Sequence, residues 1–570
     1  MSKANPFVSL GDFVPKTVRV LKSGYTRSMF AKDVFAGITV GVIALPLAIA
    51  FAIGAGATPA QGLWTAIVAG FAISALGGSR YQVAGPTGAF VVIVAGVIAE
   101  HGMSGLIAAT AIAGVLLIAM GASGLGKLIK FIPYPVTIGF TTGIGFIIAG
   151  GQIKDFFGLT IPEYPAEFFA RIGAAVRHFD TVSPPALALG AATIAVILVI
   201  RRFAPRIPGA IVAIALTSAA AFLLKLPVET IGSRYGAIPR GLPAFGSPIP
   251  DWATIRAVFP SAVTIALLGS IESLLSAVVA DGMTGDKHSA NMELVAQGAG
   301  NILSSLFGGI PATGAIARTA ANIKNGSTSP ISGMVHALVL LAFTLFLSGL
   351  ASAIPLAALS AILLVVAWDM SELRHFLRMR YAPKSDLIVM LVTFGLTVAI
   401  DLTVAVEVGV LLAVFLFIRR VTETAYVRPV EDWRDADAPS AAAGALDGAG
   451  KAEPPLALPR GVEAYEIYGP FFFGTADLLR DALEQVERSP KAFILRMRRV
   501  PSIDATGINA LAAFRGSCAK RGTTLILSGV REQPRKAMDA IGISAEIGEE
   551  NIFDNIDAAL ARAGAIAARA

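Results

Sequence analysis

Residues 308–323 read "GGIPATGAIARTAANI". A glycine pair, a proline and a Thr-Gly-Ala run interrupt apolar sequence. A lone charge, Arg318, follows four residues after Gly314, about one helical turn into whatever helix resumes there. The same device occurs earlier: "GGSRYQVAGPTGAF" (77–90) also carries a glycine pair, a proline and Thr-Gly-Ala, and also opens an apolar run. Paired Gly/Pro-interrupted segments in two halves of an apolar chain point to a transporter binding site.

The surrounding composition sets the class. The chain has 570 residues, 55% of them hydrophobic and 15% charged, with a mean hydropathy of +0.70. A soluble protein of this size is not that apolar. Residues 34–79, 102–126, 131–153, 182–200, 207–224 and 325–368 contain no Asp, Glu, Lys or Arg. At about 20 residues per span these runs give roughly 12–14 transmembrane helices. The clusters Lys127/Lys130, Arg201/Arg202/Arg206, Arg374/Arg378/Arg380 and Arg419/Arg420 flank spans and mark their cytoplasmic ends. The net charge of +7 is accounted for by these span ends, which excludes a nucleic-acid surface.

Residues 1–32 form a basic leader without the apolar core of a cleaved signal. Residues 33–425 hold the membrane segments. Residues 426–460 read as a flexible Ala/Asp/Gly/Pro-rich linker. From 461 to 570, strands such as "GVEAYEIYG", "AFILRM" and "TTLILSG" alternate with helices such as "TADLLRDALEQVERS" and "GINALAAFRGSCAKRG", giving a small cytosolic α/β domain. The only cysteine, Cys518, excludes an internal disulfide. With no CxxC, HExxH, GxSxG or Walker-type loop, the chain carries no enzyme signature and implies no metal or cofactor.

Pro86 and Pro311 suit the first turns of short helices that start inside the membrane. Two such N-termini facing each other make an anion site, and the small residues Gly88, Ala89, Gly314 and Ala315 admit a ligand to the backbone. Arg318 adds positive charge there, at a cost in the bilayer centre of about 3 to more than 10 kcal/mol unless a counter-charge or anion is present. The candidate counter-charge is Glu272, alone in "AVTIALLGSIESLLSAVVA", with Ser276 one turn on. A structural Glu272–Arg318 pair and a coupling role for Glu272 both stay open; the carboxylate suits a proton or a sodium ion. Glu293, Gln297 and Asn301, at i, i+4, i+8, read as an interhelical hydrogen-bonding stripe, His336 as a packed histidine and Glu407 as a packing or span-end charge.

These segments resemble the SulP family of anion transporters. "DVFAGITVGVIALPLAIAFAIGAG" (33–56), "GLWTAIVAGFAISALGGSRYQVAGPTGAF" (62–90), "LGKLIKFIPYPVTIGFTTGIGFIIAGGQ" (125–152) and "NMELVAQGAGNILSSLFGGIPATGAIARTAANI" (291–323) are similar to its membrane motifs, and "VPSIDATGINAL" (500–511) to a STAS domain. The resemblance implies an all-α polytopic domain of fourteen spans in two inverted seven-span repeats, a core moving against a gate, and an α/β STAS domain. It also implies a homodimer in the bacterial inner membrane, with both termini cytosolic and a possible cytosolic regulatory protein on the STAS domain. Its substrate site, between the third and tenth spans, carries over to Thr87, Gly88, Ala89 and Phe90 and to Gly314, Ala315, Ile316 and Ala317. Family substrates include sulfate, bicarbonate, chloride and dicarboxylates.

The chain is especially similar to the family's cyanobacterial sodium-dependent bicarbonate transporters. Their sodium ligands fall here on Glu272, Ser276 and Ile316. Isoleucine has no side-chain oxygen and Arg318 is cationic, so proton coupling or exchange is expected instead. Leu47 stands where many members have Gln. Thr506 falls where related anti-sigma antagonists are phosphorylated; Asp504 and Thr506 both suit a helix cap. A nucleobase symporter, a STAS-linked sensor and an anion channel are the competing readings.

Overall fold

The computed structural model describes residues 10–127, 133–162, 164–165, 167–204, 207–241, 245–246, 251–400, 402–423, 426–429, 458–472, 479 and 489–569. Lys130, Arg206, linker residues 430–457 and most of the helix expected over 475–489 lie outside them. The chain divides into two compact units, Met1–Ala413 and Val414–Ala570.

The first unit is helical: α1 (Lys16–Lys22), α2 (Arg27–Gly54), α3 (Pro59–Leu76), α4 (Gly88–Ala122), α5 (Tyr134–Gly151), α6 (Pro184–Phe203), α7 (Gly209–Leu223), α8 (Trp252–Thr284), α9 (Ala290–Leu306), α10 (Ile316–Lys324), α11 (Ile331–Phe346), α12 (Leu356–Met370), α13 (Lys384–Ala399) and α14 (Leu402–Glu423), the last running on into the second unit. Among the described residues, α2, α3, α4, α6, α8 and the stretches begun by α5 and α12 are long and apolar enough to cross a membrane; α7 and α11 are apolar but shorter.

Packing sorts these helices into two groups. α4 lies against α8 and α9, α3 against α9 and α11, and α2 against α10 and α11. Separately, α5 packs on α12 and α13, and α12 on α6 and α7. Lipid gives no hydrophobic drive between helices, so close backbone approach takes its place. A Cβ on Gly114 of α4 would lie 2.7 Å from the Gly298 carbonyl of α9, and one on Gly298 2.4 Å from the Gly114 carbonyl.

Two two-residue strands, β1 (Ala84–Gly85) and β2 (Thr313–Gly314), interrupt the helices and pair antiparallel, Ala84 opposite Gly314 and Gly85 opposite Thr313. The membrane unit is therefore not purely helical. Its half-helices are short, as the breaks predict. α10 has 9 residues, and α4 departs from helical geometry at Gly102. The prolines sit elsewhere than expected. Pro86 precedes the N-cap Thr87, and Pro311 precedes β2 rather than opening a helix.

The second unit has a sheet ordered β3 (Tyr426–Pro429), β4 (Val462–Tyr468), β5 (Ala492–Arg499), β6 (Thr524–Ser528), β7 (Ile552–Phe553), antiparallel at β3 and parallel beyond. Among the described residues, helices α15 (Ala505–Lys520), α16 (Glu532–Ile541) and α17 (Ile556–Arg569) accompany it, with a short helical turn at Ile543–Ile547. Alternate strand residues face opposite layers. Phe493, Leu495 and Met497 join a core with Ile508, Leu511 and Phe514 of α15, while Ala492 and Ile494 pack with Ala559 and Ala563 of α17. Residues 426–429, assigned from sequence to the linker, instead form the edge strand. Tyr426 stacks on Tyr468 at 4.6 Å, and the Arg428 guanidinium lies 4.5 Å from the Tyr468 ring. Burial pushes the Cys518 thiol up to about 12, so it is inert.

At the start of α15, Asp504 is the cap: its carboxylate accepts from the Gly507 amide at 2.7 Å. Thr506 is exposed on the first turn. Asp504→Ala is expected to destabilise this helix start by about 1 kcal/mol. Hydrogen exchange of the full chain checks it: amides 506–508 lose protection, and unchanged exchange would contradict the capping role.

Candidate functional site

Antiparallel pairing makes the chain leave β1 and β2 in opposite directions, so the N-termini of α4 and α10 begin on either side of one short ladder. Neither is capped by a side chain. Thr87 would ordinarily cap α4, but its hydroxyl donates to Glu272 Oε2 at 3.0 Å. Ala315, the N-cap of α10, has no capping group. The first intrahelical bond of α10 runs from Thr319 N to Ala315 O at 2.8 Å, which leaves the Ile316, Ala317 and Arg318 amides without helical partners.

Small residues keep this region tight. Gly88 begins α4, and a Cβ there would lie 2.5 Å from Met370 Sδ of α12 and 3.4 Å from Ile148 of α5. The end of α4 thus faces the second helix group. Ala89 and Phe90 are buried, Phe90 with its ring tip 3.4 Å from where a Gly269 Cβ would be. Gly314 and Ala315 are buried too. Ile316 is 45% exposed and Ala317 is also exposed, so the first turn of α10 has one open face.

Arg318 turns the other way. It is 2% exposed, and its guanidinium donates to Pro86 O and, at 3.5 Å, to Ala84 O. It therefore ties α10 to β1 while placing positive charge beside both helix starts. Gly85 makes room for it. Its φ is +151°, and a Cβ would sit 2.5 Å from Arg318 Nη1. Gly85→Ala is expected to destabilise the membrane unit by about 1–3 kcal/mol through overpacking. The thermal unfolding midpoint of the purified protein checks this; an unchanged midpoint would contradict it.

Glu272 and Arg318 do not form the ion pair held open from sequence: among the described residues no salt-bridge contact joins them. Ser276 instead donates to Thr319 Oγ1 at 3.1 Å, and Thr319 also accepts from the Val83 amide at 3.1 Å. The stripe on α9 is not interhelical glue either. Glu293 accepts from the Gly78 and Ser79 amides (2.9 and 3.1 Å) and from the side chains of Gln82 and Gln297 (2.8 and 2.9 Å). Asn301 accepts from Ala312 N at 2.8 Å and donates to Ala312 O at 2.9 Å. One helix face thus anchors both unwound segments and satisfies backbone that lipid would leave unpaired. His336 is buried against Gly70, and among the described residues neither ring nitrogen has a hydrogen-bond partner. Glu407 is exposed on α14.

Sequence reasoning missed Thr319 and Asp33. Asp33, fully buried, accepts from Tyr25 Oη (2.7 Å), Thr328 N (2.6 Å) and Ser329 N (3.1 Å), fixing the start of α11. The signal for Thr319 was its place beside Arg318; for Asp33 it was the "STSP" turn that needs an acceptor.

The profile of the sulfate permease family matches residues 30–393, and that of the STAS domain residues 454–559. The chain belongs to the sulfate permease family. The family's putative sulfate transporter YvdB of Bacillus subtilis (strain 168) is 41% identical over 536 residues, 94% of this chain and 98% of that protein. The bicarbonate transporter BicA of a Picosynechococcus species is 34% identical over 415 residues, 71% of this chain and 73% of that protein. The solved transmembrane domain of a cyanobacterial BicA matches with a TM-score of 0.60 at 32% identity, over 68% of this chain and 98% of that one. Murine Slc26a9, an anion transporter in the inward-facing state, shares the fold with a TM-score of 0.86 at 18% identity, over 99% and 96% of the two chains. The chain is thus a multi-pass membrane protein of an anion transporter family, with a C-terminal STAS domain.

Proposed function

We propose that the chain is a secondary active transporter of an inorganic anion of the sulfate or bicarbonate class. The observation that carries this is the pair of uncapped helix N-termini at Thr87–Ala89 and Ala315–Ala317, set beside the buried charge of Arg318. Their amides and dipole ends receive the anion, and Arg318 supplies field and holds the two segments in register. The group of α2, α3, α4, α8, α9, α10 and α11 carries the site and moves in an elevator-like manner against the group of α5–α7, α12 and α13. The working unit is a homodimer of fourteen-span chains in the bacterial inner membrane, termini cytosolic.

Glu272 is the coupling group, because it is half-buried and joined to the substrate-site residue Thr87. Its proton would be taken up with the anion, or the transporter exchanges anions. One observation favours a second reading. The Thr87 hydroxyl bonded to Glu272, and the Ser276 and Thr319 hydroxyls bonded to each other with Ser276 one helical turn on from Glu272, are hard oxygen ligands, so sodium-coupled bicarbonate transport is the alternative. Exposed on a helix start, Thr506 is a candidate phosphosite.

Uptake of labelled sulfate, bicarbonate and succinate by purified protein in liposomes tests the proposal, under an inward proton gradient, an inward sodium gradient or neither. Proton-driven or exchange uptake of sulfate or bicarbonate is expected. In Glu272→Gln, net proton-driven uptake is expected to fall to background while anion exchange persists. Sodium-dependent uptake would select the second reading, and uptake of succinate alone would replace the substrate class by dicarboxylates. No flux of any of the three would contradict transport.

A further inference from the structure

Lys16, in the basic leader, is only 7% exposed, and a lysine is almost never that buried without a partner. Its Nζ lies 3.0 Å from Asp286 Oδ2, in the turn between α8 and α9. Arg80 Nε lies 3.5 Å from the same oxygen. One carboxylate therefore joins the leader to Arg80, which stands four residues before Ala84, the first residue of β1.

The start of α1 also closes the end of α3. The Lys16 amide, one of the first-turn donors a helix leaves unpaired, donates to Gly77 O at 2.9 Å, and the Thr17 hydroxyl donates to Ser74 O at 3.3 Å. Both carbonyls lie at the carboxyl end of α3, where a cation is favoured. The turn that carries Asp286 is itself fixed. Asp281 accepts from the His288 amide at 3.1 Å and lies 2.7 Å from His288 Nδ1, and the Ser289 amide donates to Gly78 O at 2.9 Å. Gly78 meets this turn so closely that a Cβ there would clash with Ser289 O. From Gly78 and Ser79, whose amides Glu293 holds, the chain runs through Gln82 and Val83 into β1 and on to the first turn of α4.

We propose that Lys16 is a positioning residue for the anion site: through Asp286 the leader latches residues 77–85 in place, and with them the start of α4. The inference rests on the transport function proposed above. Lys16 touches no residue of the site and acts through this segment alone. A leader held only for its own sake would need neither a carboxylate shared with Arg80 nor a bond onto Gly77, the residue before the Glu293 clamp. With the latch released, the amides of α4 no longer hold their spacing from those of α10, and the anion binds less tightly. The translocation step moves the core helices as a body and keeps its rate.

Two readouts on the full-length chain test this: hydrogen exchange over residues 77–85 of the purified protein, and KM and maximal rate for uptake of labelled sulfate and labelled bicarbonate in liposomes, per inserted protein. In Lys16→Met the amides of 77–85 are expected to exchange faster, and KM to rise at least about threefold, within the range that coupled contacts carry, at an unchanged maximal rate. Asp286→Asn should act alike, and the double variant Lys16→Met/Asp286→Asn should be no worse than the worse single variant, because one pair is lost in all three. Lys22→Gln removes the same charge from an exposed position on α1 and should move neither readout. Unchanged exchange in Lys16→Met, additive effects in the double variant, or an equal effect of Lys22→Gln would overturn the latch. A lower maximal rate or less inserted protein at unchanged KM would make Lys16 merely structural and overturn its positioning role. Wild-type protein that takes up neither anion would count against the transport reading, and exchange over 77–85 would still decide the latch.

Discussion

Replacing Arg318 by lysine is expected to cut anion uptake at least about tenfold, although the charge is kept. The guanidinium reaches two carbonyls, Ala84 O and Pro86 O, from a side chain that is 2% exposed. An ammonium is a point donor on a flexible stem and does not present a planar fork to both. One lost charge-assisted bond is worth about 1.5–3 kcal/mol, and 1.4 kcal/mol is tenfold in an equilibrium. If that loss loosens β1 from α10, the two helix starts no longer hold their spacing and the anion loses its amides on one side. Arg318→Met removes field and strut together and is expected to abolish uptake. The comparison separates the two roles. Wild-type uptake in the lysine variant, measured against protein inserted in the liposomes, would mean that charge alone matters and that the tie to β1 does not.

Glu293→Leu is expected to be the most damaging substitution outside the helix ends. The fully buried carboxylate takes four donors: the Gly78 and Ser79 amides and the Gln82 and Gln297 side chains. A leucine of similar reach leaves all four unpaired in a dry interior. Each buried donor left unpaired costs about 1–3 kcal/mol, so four together are comparable with a large share of a protein's net stability. The expected result is little monodisperse protein after extraction. Glu293→Gln keeps one acceptor and similar volume, so it should fold but with the segment before β1 loosened and uptake reduced. Size-exclusion profiles and uptake per folded protein check both. A leucine variant that folds and transports normally would show that the Glu293 clamp does not position the site.

The interrupted segments were legible because they break local rules. Gly-Pro-Thr-Gly and Pro-Ala-Thr-Gly do not belong inside apolar helices, and Arg318 does not belong in a bilayer without a reason. Their repetition pointed to one paired feature, and β1 with β2 is that feature. The partners were not legible. Arg318 is held by backbone carbonyls, and any residue supplies a carbonyl, so no second side chain betrays the contact. Reading the chain side chain by side chain favoured Glu272 as its partner, while Glu272 is engaged by Thr87. The Glu293/Gln297/Asn301 spacing correctly put three polar groups on one face of α9, but spacing does not say whether a face meets a helix or a loop. Tyr426–Pro429 looked like linker because a four-residue strand gives too little alternation to register; its place depends on stacking against Tyr468, distant in sequence.

The central claim is that the transported anion sits at the first turns of α4 and α10. It is tested most directly by substrate protection at Ile316, which is 45% exposed. With the single buried cysteine replaced, Cys518→Ser, an Ile316→Cys variant shown to take up the anion is reacted with a charged methanethiosulfonate reagent. Saturating transported anion should slow the reaction severalfold, and a non-transported anion at equal ionic strength should not. A reaction rate indifferent to the transported anion would place its site elsewhere.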